Sequence, residues 1–280
     1  MGRPMLRRSR LRPYYVVGNH AKMGFKMETK NIVNEQKSSS FERVNSGIPG
    51  FDEIVDGGLL RGRTFLLSGT PGAGKTIFSM QFVYNGASKY GENGVYVTFE
   101  ETPEQLRKDM TRLGWDLKRL EEEGELILID ASSARIGLST GERFVVHRPF
   151  TLDSLLSDIY ESIKKIGAKR VVIDCLDAAE LHARDLDEFR KYILKLSSIL
   201  KSLGCTSILI VESPDGHRVS RYGVEEYVSD GIIVLHHNLE KNRRVRRIEV
   251  VKTRGSKHSP DVKWLDITDR GIEVKSVSEA

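Results

Sequence analysis

Gly69-Thr70-Pro71-Gly72-Ala73-Gly74-Lys75-Thr76 has the G-x-x-x-x-G-K-T spacing of a phosphate-binding P-loop. Glycines at these positions let the backbone wrap a polyphosphate with several N–H groups turned inward. A helix starting at the loop's end adds the positive end of its dipole to the same anion. In such a loop the lysine, here Lys75, reaches the outer phosphates, and the hydroxyl, here Thr76, holds Mg²⁺. Ile77 follows in the first helical turn and completes the predicted phosphate-contacting run.

The flanks agree with this reading. Thr64-Phe65-Leu66-Leu67-Ser68 is a short apolar run, as expected of a buried parallel strand. Ile77, Phe78, Met80, Gln81, Phe82 and Tyr84 read as a helix. Strand, loop and helix in this order separate a nucleotide site from a chance glycine-rich turn.

Outward from the loop, strands and helices alternate. Upstream, Ser46–Gly50 is a turn, and Phe51, Ile54 and Val55 form a short helix that Gly57-Gly58 ends. Downstream, strands are predicted at Gly94–Glu100, Leu126–Asp130, Arg170–Asp174 and Thr206–Glu212. Helices are predicted from Thr102-Pro103 through Arg112, along Leu152–Ile166, and from Leu186 to Leu203. Continuous apolar strands alternating with helices specify an α/β fold with a parallel sheet covered on both faces. Residues 131–150 lack a clear period and read as a long surface loop. The C-terminal part changes character: Gly231–Leu235, a turn at Asn238–Asn242, and Val245–Val251 read as an antiparallel hairpin, followed by short strands at Val262–Ile267 and Ile272–Val274.

The chain has 280 residues and a formal net charge of +5. That charge is unevenly placed. Residues 1–40 hold nine Lys and Arg against two acids, and the rest holds 35 basic and 37 acidic groups, a net of −2. Residues 1–40 therefore read as a basic, disordered N-terminal extension, and 41–280 as one ATPase-sized domain. A natural start at Met23 or Met27 is one reading of the extension. The slightly acidic body does not point to nucleic acid. No apolar run approaches the ~18 residues of a membrane span. Cys175 and Cys205 sit in apolar surroundings without metal-ligand spacing, as free thiols of a reducing cytoplasm do. His236-His237 on a strand would point to opposite faces and so would not share a metal.

Two carboxylate positions stand out. Asp174 ends a Val-Val-Ile strand, the Walker B arrangement that faces Mg²⁺ beside a P-loop. Glu100 and Glu101 end the strand that follows the P-loop helix, where a carboxylate can aim water at the terminal phosphorus. Strand alternation would turn only one of them toward the cleft. Their structural alternative is an acid pair stabilised by the following helix dipole. Lys252-Thr253-Arg254-Gly255-Ser256-Lys257-His258 reads by itself as a solvated basic turn.

Several segments together resemble the KaiC family of RecA-like ATPases. These are Arg43–Glu53, the P-loop, Val97–Pro103, Gly114–Leu117, Arg221–Gly231 and Lys252–His258, within a match over roughly residues 42 to 275. The resemblance implies a RecA-like P-loop NTPase fold with a mostly parallel central sheet and a C-terminal antiparallel hairpin. It implies ATP and Mg²⁺ as cofactors, held at the interfaces of a homo-oligomeric, usually hexameric, ring. It implies that Glu100 is the catalytic carboxylate with Glu101 beside it, and that Arg112 lies near the adenine. It further implies that Lys252 and Arg254 reach the γ-phosphate of the next subunit, with Ser256 and His258 at nucleotide-contacting positions. The family's clock protein has two such units in tandem, and its second unit carries a Ser-Thr autophosphorylation pair. The aligned positions here are Glu226-Tyr227, which argues against autokinase activity.

The expected function is a slow, Mg²⁺-dependent ATP hydrolase acting as an oligomeric switch. One competing reading is a DNA-binding repair or recombination ATPase, with loops at 131–150 and Pro214–Tyr222 and the basic hairpin as contacts; the body's charge and the absence of interleaved aromatics weigh against it. Another is an ATP-sensing signalling module with little hydrolysis. Glu212, at the end of its strand, is a candidate nucleotide sensor or a structural carboxylate.

Overall fold

The computed structural model describes residues 42–132, 142, 144 and 150–276. The predicted basic extension lies outside the described residues, as does most of the predicted loop 131–150.

Six strands run parallel: β3 (Thr64–Gly69), β4 (Gly94–Thr98), β5 (Leu126–Asp130), β6 (Arg170–Asp174), β7 (Thr206–Glu212) and β8 (Gly231–Glu240). β9 (Arg243–Thr253), β10 (Lys263–Thr268) and β11 (Gly271–Lys275) extend the sheet antiparallel, giving the order β11-β10-β9-β8-β3-β7-β6-β4-β5. A separate two-stranded ribbon joins β1 (Arg43–Val44) to β2 (Leu59–Leu60), on either side of helix α1 (Phe51–Ile54). Every residue of β3, β4, β5 and β6 is buried, which is why these strands read as unbroken apolar runs.

The helices explain that burial. α2 (Lys75–Tyr90) follows the P-loop and packs on β4 and β6. α3 (Pro103–Thr111) opens with a capping box between Thr102 and Gln105 and has Pro103 in its first turn. α4 (Leu117–Glu122) is capped by Asp116, and α5 (Leu152–Ile166) by a Thr151–Ser154 box. α5 ends at Gly167, whose φ of 62° is costly for other residues. α6 (Leu176–Glu180), α7 (Leu186–Ser202) and α8 (Val224–Val228) complete the described helices.

Arg170 is 0% exposed although charged. Its guanidinium donates to Glu92 at 2.8 Å, to the Phe82 carbonyl at 2.7 Å and to the Asn45 carbonyl at 2.8 Å, and lies over the Phe82 ring. Burial lowers its pKa, and Glu92 opposes that shift. A Cβ on Gly86 of α2 would lie 2.3 Å from Arg170 Cδ, so the helix carries glycine there to admit the arginine.

Two departures from the predicted boundaries exceed a single residue. The strand predicted to run through Glu100 ends at Thr98, because the Thr98 hydroxyl donates to the Glu101 carbonyl at 2.6 Å and turns the chain toward α3. The hairpin turn predicted at Asn238–Asn242 is only Lys241-Asn242. Both residues have positive φ, 46° and 64°, which matches the twist of a two-residue hairpin turn, so β8 and β9 pair out to Glu240 and Arg243.

Candidate active site

The P-loop joins the carboxyl end of β3 to α2, between β7 and β8 in the sheet. Carboxyl ends of parallel strands open there into a crevice, the usual ligand position in an open α/β sheet. The crevice is a cavity of about 660 Å³. Pro71, Gly72, Gly74, Lys75, Thr76 and Ile77 line one side; Glu100, Glu101, Arg112 and Asp174 line others. Of the remaining loop residues, Gly69 ends β3 and Ala73 is buried beneath the loop, its N–H donating to the Thr70 carbonyl at 3.2 Å. Gly74 has φ 105°, and Gly69 has Leu235 O within 2.6 Å of where a Cβ would stand. The loop's glycines are therefore demanded by conformation at one end and by strand packing at the other.

The Lys75 ammonium donates to the Gly69 and Thr70 carbonyls at 2.8 and 3.2 Å, and lies 3.8 Å from Glu212. It thus stands in the mouth of its own loop. The Thr76 hydroxyl donates to Asp174 Oδ2 at 2.9 Å. Tyr96 donates to the same oxygen at 2.5 Å and contacts Ser79 at 3.2 Å; Ser79 in turn donates to the Thr76 carbonyl at 3.1 Å. This closed network fixes Asp174 against Thr76. Burial raises the Asp174 carboxyl pKa, partly opposed by the Tyr96 and Thr76 hydrogen bonds. A hydroxyl and a desolvated carboxylate side by side form the oxygen donor pair that suits a hard divalent cation carrying phosphate and water. Among the described residues no cluster of three or more His, Cys, Asp and Glu could hold a metal by itself.

Both glutamates line the cavity, because the chain has left the strand before reaching them and strand alternation no longer applies. Glu100 is exposed and accepts from the Cys175 thiol at 3.3 Å. Glu101 is half-buried, and its pKa is raised by burial and then by the charges of Asp174, Asp109 and Glu100. Of the two carboxylates, Glu100 is the more open to solvent.

A family model described as "ATPase: KaiC" matches residues 44–279. The chain belongs to the KaiC family of ATPases. It is 38% identical over 246 residues, 87% of its length, to the circadian clock protein KaiC3 of Synechocystis sp.. It is 38% identical over 242 residues, 86% of its length, to the circadian clock oscillator protein KaiC of Synechococcus elongatus. The chain spans about half the length of these curated relatives, matching 48% and 46% of them. Among solved structures, a KaiC-like protein from the hyperthermophilic archaeon Pyrococcus horikoshii OT3 superposes with a TM-score of 0.74 at 39% identity, covering 84% of this chain and 99% of that one. The fold is thus the RecA-like, mostly parallel sheet with antiparallel C-terminal strands, in a domain of the KaiC ATPase family.

Against that family pattern, the segment at Lys252–His258 stands outside the cavity lining. Lys252 donates to the Glu226 and Ser229 carbonyls at 2.7 and 2.8 Å. Burial, then the nearby Arg254, lowers its pKa. Arg254 is exposed and donates to the Tyr227 carbonyl at 3.2 Å. Ser256 accepts from Arg43 at 2.6 Å, and His258 is half-buried. These four residues do not join the P-loop of their own chain.

Sequence reasoning missed several lining residues. Arg246 donates to the Gly72 carbonyl at 3.0 Å, and Ile267 lies 3.3 Å from where a Gly74 Cβ would stand. Both are far along the chain, and Arg246 read only as one of several hairpin arginines. Asp109, Met110 and Leu113 come from α3 and the turn after it. Tyr96 is buried behind Asp174 rather than in the lining, and had one legible sign, a phenol inside an otherwise aliphatic strand. No helix among the described residues is long and apolar enough to cross a membrane.

Proposed function

We propose that this domain hydrolyses ATP with Mg²⁺ in a homo-oligomeric ring and works as a slow regulatory switch. The carrying observation is the convergence of Lys75, Thr76, Asp174 and Glu100 on one cavity, while Lys252 and Arg254 lie away from it. Bound Mg²⁺–ATP would supply the electrophilic phosphorus and its charge-neutralising cation. The loop N–H groups and Lys75 would hold the phosphates, with Thr76 and Asp174 on the metal side. Glu100 would orient water and take its proton. Arg112, with Met110 and Leu113, forms the wall suited to the base. Lys252 and Arg254 would complete the charge on the γ-phosphate from the neighbouring subunit, with Ser256 and His258 in the same contact. Glu226-Tyr227 offers no Ser or Thr acceptor at that pair. Residues 1–40 are proposed to lie outside the ATPase unit, which we place in the cytoplasm.

The test is native mass spectrometry with and without Mg²⁺–ATP, together with ADP production. A Mg²⁺-dependent ring that accumulates ADP is expected. A chain that stays monomeric yet turns over ATP at full rate would remove the trans roles, and binding without ADP production would favour a sensing module.

A further inference from the structure

The ladder between β9 and β10 is half unzipped. The strands pair at Lys263↔Ile248 and Trp264↔Arg247 and at no further position. The same register continued would set Leu265 opposite Arg246 and Thr268 opposite Arg243. Instead, both strands continue on their outer partners alone: β9 pairs with β8 as far as Arg243, and β10 with β11 as far as Thr268. The gap is a cleft of about 990 Å³, lined by Glu240, Lys241, Arg243–Arg247 and 264–268.

Two anchors hold the gap open. The distal part of β8–β9 is tied over the P-loop, with Arg246 donating to the Gly72 carbonyl at 3.0 Å and His237 Nδ1 3.4 Å from the Pro71 carbonyl. β10–β11 is tied instead to α2: buried Gln81 donates to the Ile272 carbonyl at 3.1 Å and accepts from its N–H at 2.7 Å.

The cleft has a definite charge. Arg247 is paired with Glu240 at 2.7 Å, and Asp266 with Lys275 at 2.7 Å. Lys241, Arg243 and Arg244 are exposed and outside those ion pairs. Edge strands often carry basic residues to block unwanted pairing. That function does not explain two strands that face each other inside one sheet, whose edges direct pairing would have protected.

The geometry points to a docking site for an acidic, extended polypeptide segment of a partner protein, which adds as a strand in the β9–β10 cleft. Its backbone would pair with the free edge at Arg243–Arg246 or Leu265–Thr268, and its carboxylates would meet Lys241, Arg243 and Arg244. Strand addition gives affinity through main-chain hydrogen bonds and specificity through alternate side chains. A nucleic-acid strand would answer the arginines but leave the strand edges without partners. The Trp264 ring is also covered by the Arg247 guanidinium, 4.7 Å from its centroid, which limits it as a stacking platform for bases.

The test uses the full chain and a fluorescent peptide of about eight residues alternating Glu and Val, a length set by the strand-addition mode. Anisotropy should show saturable binding, and hydrogen exchange should slow at Arg243–Arg246 or Leu265–Thr268. The exposed double substitution Arg243→Glu/Arg244→Glu should weaken binding by about tenfold or more. The same peptide N-methylated on alternate amides keeps its charge but should lose binding, which tests the mode without altering the protein. Absence of binding, equal binding of the N-methylated peptide, unchanged affinity in the double variant, or preference for oligo-dT over the peptide would each overturn the proposal.

Discussion

The P-loop and the Lys252–His258 segment are both basic, yet they are built in opposite ways. Lys75 sits in a cavity with Thr76, Asp174 and Glu100, gathered by the ends of β3, β4 and β6 and the start of α2. Lys252 and Arg254 lie on β9 and just beyond it, tied only to the carbonyls of Glu226, Ser229 and Tyr227. The first region forms a nucleotide grip within one chain. The second holds its cations on backbone carbonyls, outside the cavity of its own chain. The contrast carries the proposed division of labour: one chain gathers the groups proposed to hold phosphate and metal, and the charge proposed to meet the outer phosphate lies away from them.

That division can be broken most directly at Arg254. Arg254→Ala should lower ATP turnover by about 10³-fold, the lower end for a trans arginine finger, while ATP affinity and thermal stability stay near the parent's. Its side chain donates to the carbonyl of exposed Tyr227, and its backbone bond to the Asp230 carbonyl survives the substitution, so the fold has little to lose. Turnover near the parental rate would end its assignment as a finger. Mixing Lys75→Ala with Arg254→Ala subunits sharpens the point. In a randomly mixed ring about a quarter of interfaces would pair an intact loop with an intact finger, so activity should partly return.

Glu100→Gln should reduce turnover by about 10²-fold or more with ATP binding retained, as loss of a general base does. Calorimetric titration beside a steady-state assay separates the two effects; weakened binding with unchanged turnover would relocate the base. A smaller effect is expected at the loop's lip. Arg246→Ala removes the hydrogen bond to Gly72 and should cost about 1 kcal/mol, roughly fivefold in nucleotide affinity. Titration with ATP would measure it, and an unchanged affinity would show that the hairpin does not steady the loop.

The smallest effect concerns stability and lies near the second region. Glu225 is fully buried at the start of α8, and burial, reinforced by Asp177 and Glu226, raises its pKa despite Ser220. Its folded form therefore holds a proton that the unfolded form releases from about the ordinary carboxyl value of 4.5 upward. Stability should fall as pH rises through the window between 4.5 and the raised value, at up to about 1.4 kcal/mol per pH unit. Glu225→Gln should flatten that slope in thermal denaturation from pH 4 to 8, while leaving ATP affinity unchanged. An unaltered slope would assign the pH dependence to other buried acids, such as Asp174.

Much of this architecture was legible because parallel strands covered on both faces must be apolar throughout. Leu126–Asp130, Arg170–Asp174 and Thr206–Glu212 appear where their residue runs begin and end. Boundaries set by single hydrogen bonds or backbone angles were not legible. The Thr98 hydroxyl ends β4 early, and positive φ at Lys241 and Asn242 shortens the hairpin turn. The site was legible where local motifs carry it, at the P-loop, Asp174 and the glutamates. It was illegible at Arg246 and Ile267, which reach the cavity only through strand pairing and packing.

Local sequence alone determined the phosphate loop, because glycine placement, lysine and hydroxyl are needed within eight consecutive residues. It determined the alternation of strands and helices through hydrophobic period. Tertiary structure decided what no local pattern contains: that both glutamates face the cavity, that β9 lays Arg246 across the loop, and that Lys252 and Arg254 are kept away from their own nucleotide site. Those outcomes depend on strand order, which brings β8 beside β3 across more than 160 residues of chain and β9 in behind it. Residues so far apart meet only when the whole sheet closes, and their chemistry cannot be read from their neighbours in sequence.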